Sequence, residues 1–170
     1  MHTHMDKIST KRNIVESLQK DAKRNYKLKE TTIEEIMDEV CQKFQSELTF
    51  ETFYQMCDVF RVTGDWQCAD PLKDAASKIS TTELKRILDF LLSEGIKEEW
   101  DNCEVGVGCI IMGHSAGDWL KMDDERFELL KPYLDADILQ TFIEDGNVRK
   151  LIDIPSGNLR TVFNILLKKE

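Results

Sequence analysis

The sequence predicts an all-α fold, and three observations predict it. Turn-makers are scarce, with 3 Pro and 8 Gly in 170 residues, whereas sandwiches and barrels are rich in Gly/Pro turns. Apolar residues recur at intervals of three and four along much of the chain, the period that places them on one face of a helix. Thr or Asp followed by carboxylates opens several of these segments and Gly closes them, as helix caps do. With 32% charged and 41% hydrophobic residues, the composition is that of a folded chain rather than a disordered one. The expectation is a single domain over residues 1–170, built of about seven to eight helices around its own core.

The elements follow in order. Before residue 31 a weak stripe of Ile14, Val15 and Leu18 marks a first helix. Thr31-Thr32-Ile33-Glu34-Glu35 reads as a helix start, a Thr cap with carboxylates over the free N–H groups. Behind it Ile33, Ile36, Met37, Val40, Cys41 and Phe44 fall on one face. Another helix follows Thr49, carries Phe50, Phe53, Tyr54, Cys57 and Phe60 on one side, and ends near Gly64. The next spans about 65–79 and contains Trp66 and Pro71; the proline marks either a kink or the true first turn. A further helix opens at Thr81 or Thr82, carries Leu84, Ile87, Leu88, Leu91 and Leu92, and stops at Gly95.

These starts, near 32, 49, 66 and 82, are about 17 residues apart, or about 34 per helix pair. That is the period of stacked helical hairpins, an irregular HEAT/TPR-like array. The consensus residues of the 34-residue repeats are absent, and a compact bundle with short loops fits equally well. Beyond residue 95 the pattern loosens, and five of the eight glycines lie between Gly95 and Gly117. Residues 104–120 read either as a buried helix packed closely through small residues or as a strand followed by a turn. The helical pattern returns at Asp123-Asp124-Glu125, with Phe127 and Leu130 on one face before Pro132. A short helix is expected over 135–144, closed by Gly146, and a last one over 158–168, apolar at Leu159, Val162, Phe163, Leu166 and Leu167.

Within the glycine-rich segment, Gly113-His114-Ser115-Ala116-Gly117 matches the G-x-S-x-G nucleophile elbow. On this motif the segment resembles the α/β-hydrolase (lipase and esterase) family, which implies Ser115 as a nucleophile. The mechanism also needs a His base and a carboxylate, in the order Ser, acid, His. No His follows His114, the others are His2 and His4, and Lys121 is the only substitute base nearby. Only 53 residues follow Gly117, without the strand–helix alternation that completes such a sheet. A serine hydrolase is therefore the remote alternative, and a close helix crossing or a turn is the reading preferred for these small residues. Gly106-Val107-Gly108 begins like a dinucleotide fingerprint, but Ile111 takes the place of the third glycine.

Five cysteines, Cys41, Cys57, Cys68, Cys103 and Cys109, form an odd set with no CxxC pair. Reduced thiols on apolar helix faces are expected, with no metal site and no cofactor. No apolar run reaches the length of a membrane span, and the start lacks a signal-peptide core, so a cytoplasmic protein is expected. Residues 1–5 read as native or as a cloning remnant, and no ligand is placed there.

Charge is distributed unevenly. Residues 1–30 carry a net +4, residues 31–145 a net −16 and residues 146–170 a net +3, giving −9 in all. The basic residues Lys11, Arg12, Lys20, Lys23, Arg24, Lys27 and Lys29 are broken up by Glu16 and Asp21. Contact with the acidic body is their expected use, so direct nucleic-acid binding is not expected. Two acidic clusters each surround a tryptophan: Glu94, Glu98, Glu99, Asp101 and Glu104 around Trp100, and Asp118, Asp123, Asp124, Glu125 and Glu128 near Trp119. An aromatic anchor ringed by carboxylates fits a recognition surface for a basic protein, and the same pattern fits an ordinary helix end with a core tryptophan and a solvated acidic face. Asp123 and Asp124 diverge by about 100° on a helix, which opposes a shared metal or acid/base site and favours capping.

A helical, acidic chain without an active-site constellation reads as a non-catalytic binding module, not an enzyme. Nucleases must be basic to hold phosphates, and an acidic surface suits their inhibitors. In size, charge and class the chain looks like the bacterial immunity proteins that block toxin nucleases, although no motif carries that likeness. The expectation is an immunity- or antitoxin-type protein occluding a basic, nuclease-type toxin. The alternatives are a DNA-mimicking inhibitor, with carboxylates in rows at phosphate-like spacing, and a helical scaffold.

Overall fold

Helix α3 is where the fold is organised. In the computed structural model, which describes residues 4–21, 26–63, 69–93 and 103–134, α3 spans Phe50–Thr63. Around it lie α1 (His4–Lys20), α2 (Tyr26–Glu47) and α5 (Thr81–Leu91). A second group contains α4 (Ala69–Ala75), a 3-10 turn (Ala76–Lys78) and α6 (Cys103–Met112), followed by α7 (Ala116–Lys121) and α8 (Asp124–Leu130). A 3-10 turn over Lys131–Tyr133 closes the described chain. The described residues contain helices and no strand, so the fold is all-α.

The bundle reading holds for these helices and the repeat array does not. Of the helices expected near 32, 49 and 82, the last two begin at 50 and 81, while α2 is already formed at 26. Their packing skips along the chain: α1 packs on α3, α4 packs on α6, and α5 bridges α3 and α6. Stacked hairpins would instead bury each pair on the next.

Local chemistry explains the displaced boundaries. Thr31 and Thr32 do not cap α2; their hydroxyls donate to the carbonyls of Lys27 and Leu28, each at 2.9 Å. A threonine that bonds back four residues sits comfortably inside a helix. The apolar face of α2 is as expected, with Val40 and Phe44 fully buried and Ile33, Ile36, Met37 and Cys41 packed against the core. Leu48 closes the helix with φ 57° while its N–H donates to the Phe44 carbonyl at 2.8 Å, the left-handed turn usually given to glycine. Its side chain packs against the core, which offsets the backbone cost of roughly 1–2 kcal/mol.

Thr49 does cap α3, accepting from the Thr52 N–H at 3.3 Å. The same terminus receives a carboxylate from another helix, since the Phe50 N–H donates to Glu83 Oε2 at 2.9 Å. Arg86 reinforces the junction, pairing with Glu51 at 3.1 Å and lying 4.7 Å over the Phe50 ring. α3 is buried on more than one side, with Phe53, Met56, Cys57, Val59 and Phe60 in the core. Burial of each such side chain contributes about 1.5–3 kcal/mol.

Pro71 is the third residue of α4 as described, a first-turn position. Ser80 caps α5 and turns Leu84, Ile87, Leu88 and Leu91 inward. Over 104–120 the helical reading holds: α6, a turn at Gly113-His114-Ser115, then α7. Gly113 is where α6 crosses close to α4. A Cβ there would lie 2.7 Å from Ala76 Cβ and closer still to the Lys73 carbonyl oxygen. Gly64, Trp66, Gly95 and the helices expected over 135–144 and 158–168 lie outside the described residues. No helix among the described residues is long and apolar enough to cross a membrane.

Candidate functional site

The residues singled out from the sequence divide three ways. Glu94, Glu98, Glu99, Trp100 and Asp101 lie outside the described residues, and Glu104 stands in the first turn of α6 with its side chain outside them. The other six come together on α7 and α8.

Capping chemistry places them. The Asp118 N–H donates to Ser115 Oγ at 3.1 Å, and the Ser115 N–H donates to Asp118 Oδ2 at 2.8 Å. This reciprocal box starts α7. Asp123 starts α8 by accepting from the Arg126 N–H at 2.9 Å. Asp124 and Glu125 follow in the first turn, and both are exposed, as is Glu128. Phe127 and Leu130 face the opposite way, into the core.

Of its two readings Trp119 takes the second, a core tryptophan at a helix end rather than an interface anchor, with a relative exposure of 0%. Its indole meets Phe127 edge-on at a centroid distance of 6.1 Å and tilts against His114 at 6.0 Å. The core takes the indole of this six-residue helix.

Ser115 is likewise explained by capping. What precedes it is a helix rather than the strand of a nucleophile elbow, and its hydroxyl receives the Asp118 N–H. His114 is turned inward, 2% exposed, with Nδ1 at 2.7 Å from the Ile110 carbonyl. That contact requires the proton on Nδ1, which leaves the lone pair on Nε2. The lone pair accepts from Arg126, whose Nε and Nη2 lie at 3.1 and 3.0 Å. His114 therefore has no free ring nitrogen to serve Ser115 as a base.

Arg126 is the residue that sequence reasoning missed. Besides His114 it reaches the Ala76 carbonyl from Nη2 at 2.7 Å, and from Nη1 the Ile79 carbonyl at 2.7 Å and the Thr81 hydroxyl at 3.3 Å. One guanidinium thus ties α8 to the end of the 3-10 turn, the start of α5 and the turn after α6. Its partners lie 12 to 50 residues away, so no local pattern signals the role. A cleft of about 280 Å³ opens over this junction, lined by Ser77, Ser80, Thr81, Asp118, Lys121 and Asp123 among others. Burial draws the His114 pKa down; the Ile110 hydrogen bond opposes this, Arg126 adds to it, and Asp118 opposes it. Burial also draws Arg126 down, against Asp123 and Asp118.

The basic N-terminal segment contacts the acidic body, as expected for Lys11 and Arg12. Lys11 pairs with Glu39 of α2, and Arg12 lies 3.5 Å from Asp58 of α3. Asp58 also accepts from Arg61 at 2.9 Å, in a groove of about 680 Å³ that Glu16, Lys20 and Tyr54 help to line. Among the described residues, no group of three or more His, Cys, Asp or Glu is arranged to hold a metal ion. No protein-family model, curated protein or solved structure matches the chain.

Proposed function

We propose that the chain is a non-catalytic, cytoplasmic inhibitor of immunity or antitoxin type, which binds a basic, nuclease-type toxin through exposed carboxylates and covers its phosphate-binding face. The observation that carries this reading is the outward placement of Asp123, Asp124, Glu125 and Glu128 on α8 while Phe127 and Leu130 hold the helix to the core. A second set, Glu30, Glu34, Glu35 and Asp38, is exposed on α2. Carboxylates arrayed in water steer a basic partner and raise its association rate above the neutral range of about 10⁵–10⁶ M⁻¹s⁻¹. With Trp119 in the core, no aromatic anchor is offered at α7, so charge carries the recognition there.

The test begins with a pull-down from source cells, followed by association kinetics with the captured basic protein at about 50 and 200 mM salt. The expected result is a steep fall in association rate with salt, a further fall for the triple variant Asp124→Asn, Glu125→Gln, Glu128→Gln, and inhibition of the partner's nuclease activity. Absence of any basic partner, or binding indifferent to salt and to the triple variant, overturns the proposal.

One observation favours a second reading, a DNA-mimicking inhibitor. Glu30, Glu34 and Asp38 form a row along exposed α2 at helical steps of about 6 Å, comparable to neighbouring phosphates on one strand. A mimic competes with duplex DNA for a DNA-binding protein that has no nuclease activity, whereas a dedicated toxin inhibitor does not.

A further inference from the structure

His114 occupies an unusual position in the bond network. It is buried, and both ring nitrogens are used: Nδ1 toward the Ile110 carbonyl, and Nε2 as acceptor for two N–H groups of Arg126. The Arg126 guanidinium in turn holds Ala76, Ile79 and Thr81. The joint is therefore built for a neutral imidazole. A proton added to Nε2 would replace the acceptor with an N–H facing two N–H groups and set two cations about 3 Å apart.

We propose that His114 is an acid-sensitive latch: its protonation expels Arg126 from the joint and releases α7 and α8, with Trp119, from the 3-10 turn and α5. The inference does not depend on the proposed partner. The charged groups around the cleft are Asp118 and Lys121 from α7 and Asp123 and Arg126 from α8; Ser77, Ser80 and Thr81, from the 3-10 turn and α5, are neutral. Asp118 is the carboxylate available to compensate a protonated His114, and one of its oxygens is already held by the Ser115 N–H. Asp123 is engaged with the Arg126 backbone N–H. Compensation is therefore partial.

The direction follows from linkage. Burial sets the folded-state value of His114 below the ordinary 6.5. Below 6.5 the opened state then binds a proton that the latched state resists. Opening is favoured up to about tenfold for each pH unit below 6.5, until the folded-state value is reached, and is indifferent to His114 above 6.5.

The test compares the intact protein with His114→Gln, whose amide oxygen can accept from Arg126 but does not titrate. Amide exchange is followed from pH 7.5 to 5, corrected for its intrinsic pH dependence. The expected result is that the Trp119 and Phe127 amides open faster in wild type as the pH falls below 6.5, that His114→Gln lacks this dependence, and that Val40 and Phe44 of α2 are unaffected in both. Equal pH dependence in the two proteins overturns the latch. A measurement on wild type alone guards against a misfolded variant: the His114 ring signals, followed by NMR, should titrate below the ordinary 6.5. Titration at or above 6.5, or exchange that ignores His114 protonation, also overturns it.

Discussion

Replacing Gly113 by alanine adds one methyl group where α6 passes α4, and the surroundings fix its cost. The new Cβ would meet the Lys73 carbonyl oxygen and Ala76 Cβ well inside contact distance, and the Cys109 carbonyl oxygen at 3.1 Å. None of these is the flexible end of a long side chain, so relief requires α6 to move away from α4 and the 3-10 turn. Overpacking a well-packed site costs about 1–3 kcal/mol, and backbone obstacles place this case near the upper end, about 3 kcal/mol. In a chain of this size that corresponds to a Tm lowered by roughly 6–12 °C, at 2–4 °C per kcal/mol. Gly108 in the middle of α6 supplies an internal control, because a Cβ there meets nothing within 4 Å. Gly108→Ala should stabilise by up to about 1 kcal/mol through helix propensity. Urea unfolding of the three proteins, followed by circular dichroism, measures both effects. A Gly113→Ala midpoint equal to or above wild type would refute the close crossing, and with it the placement of His114.

Two further substitutions test the junction. Arg126→Met keeps much of the side-chain length but removes the donors, leaving the Ile79 carbonyl without its guanidinium partner; urea unfolding should show a loss of about 1–3 kcal/mol. Ser115→Ala removes the α7 cap and should cost about 1 kcal/mol while leaving any hydrolysis of an activated ester at its wild-type level; loss of such an activity on substitution would return Ser115 to a catalytic role.

The amino-acid sequence by itself determined the class of fold and the inward faces of several helices. Val40, Phe44, Leu84, Ile87, Leu88, Leu91, Phe127 and Leu130 were assigned to helix faces by spacing and are buried. Spacing works there because the helix period and the burial of apolar surface impose the same pattern over short distances. Helix starts were legible where a residue caps its own terminus, as Thr49 and Asp123 do, and illegible where Thr31 and Thr32 bond backward inside a longer helix. For α8 the capping role of the aspartates was legible, whereas the Asp118 box that starts α7 was not, and Trp119 was left between an interface anchor and a core residue, the second of which is correct. An indole beside aspartates fits either side of a two-turn helix, and the choice depends on what Phe127 and His114 bring from elsewhere in the chain. The array-or-bundle alternative was likewise beyond local pattern, because both bury the same faces and differ in which helices meet. Only the tertiary structure decided the role of Arg126. Its three backbone and side-chain partners beyond His114, at Ala76, Ile79 and Thr81, are 45 to 50 residues away, and a contact across that separation leaves no periodicity in the sequence to read.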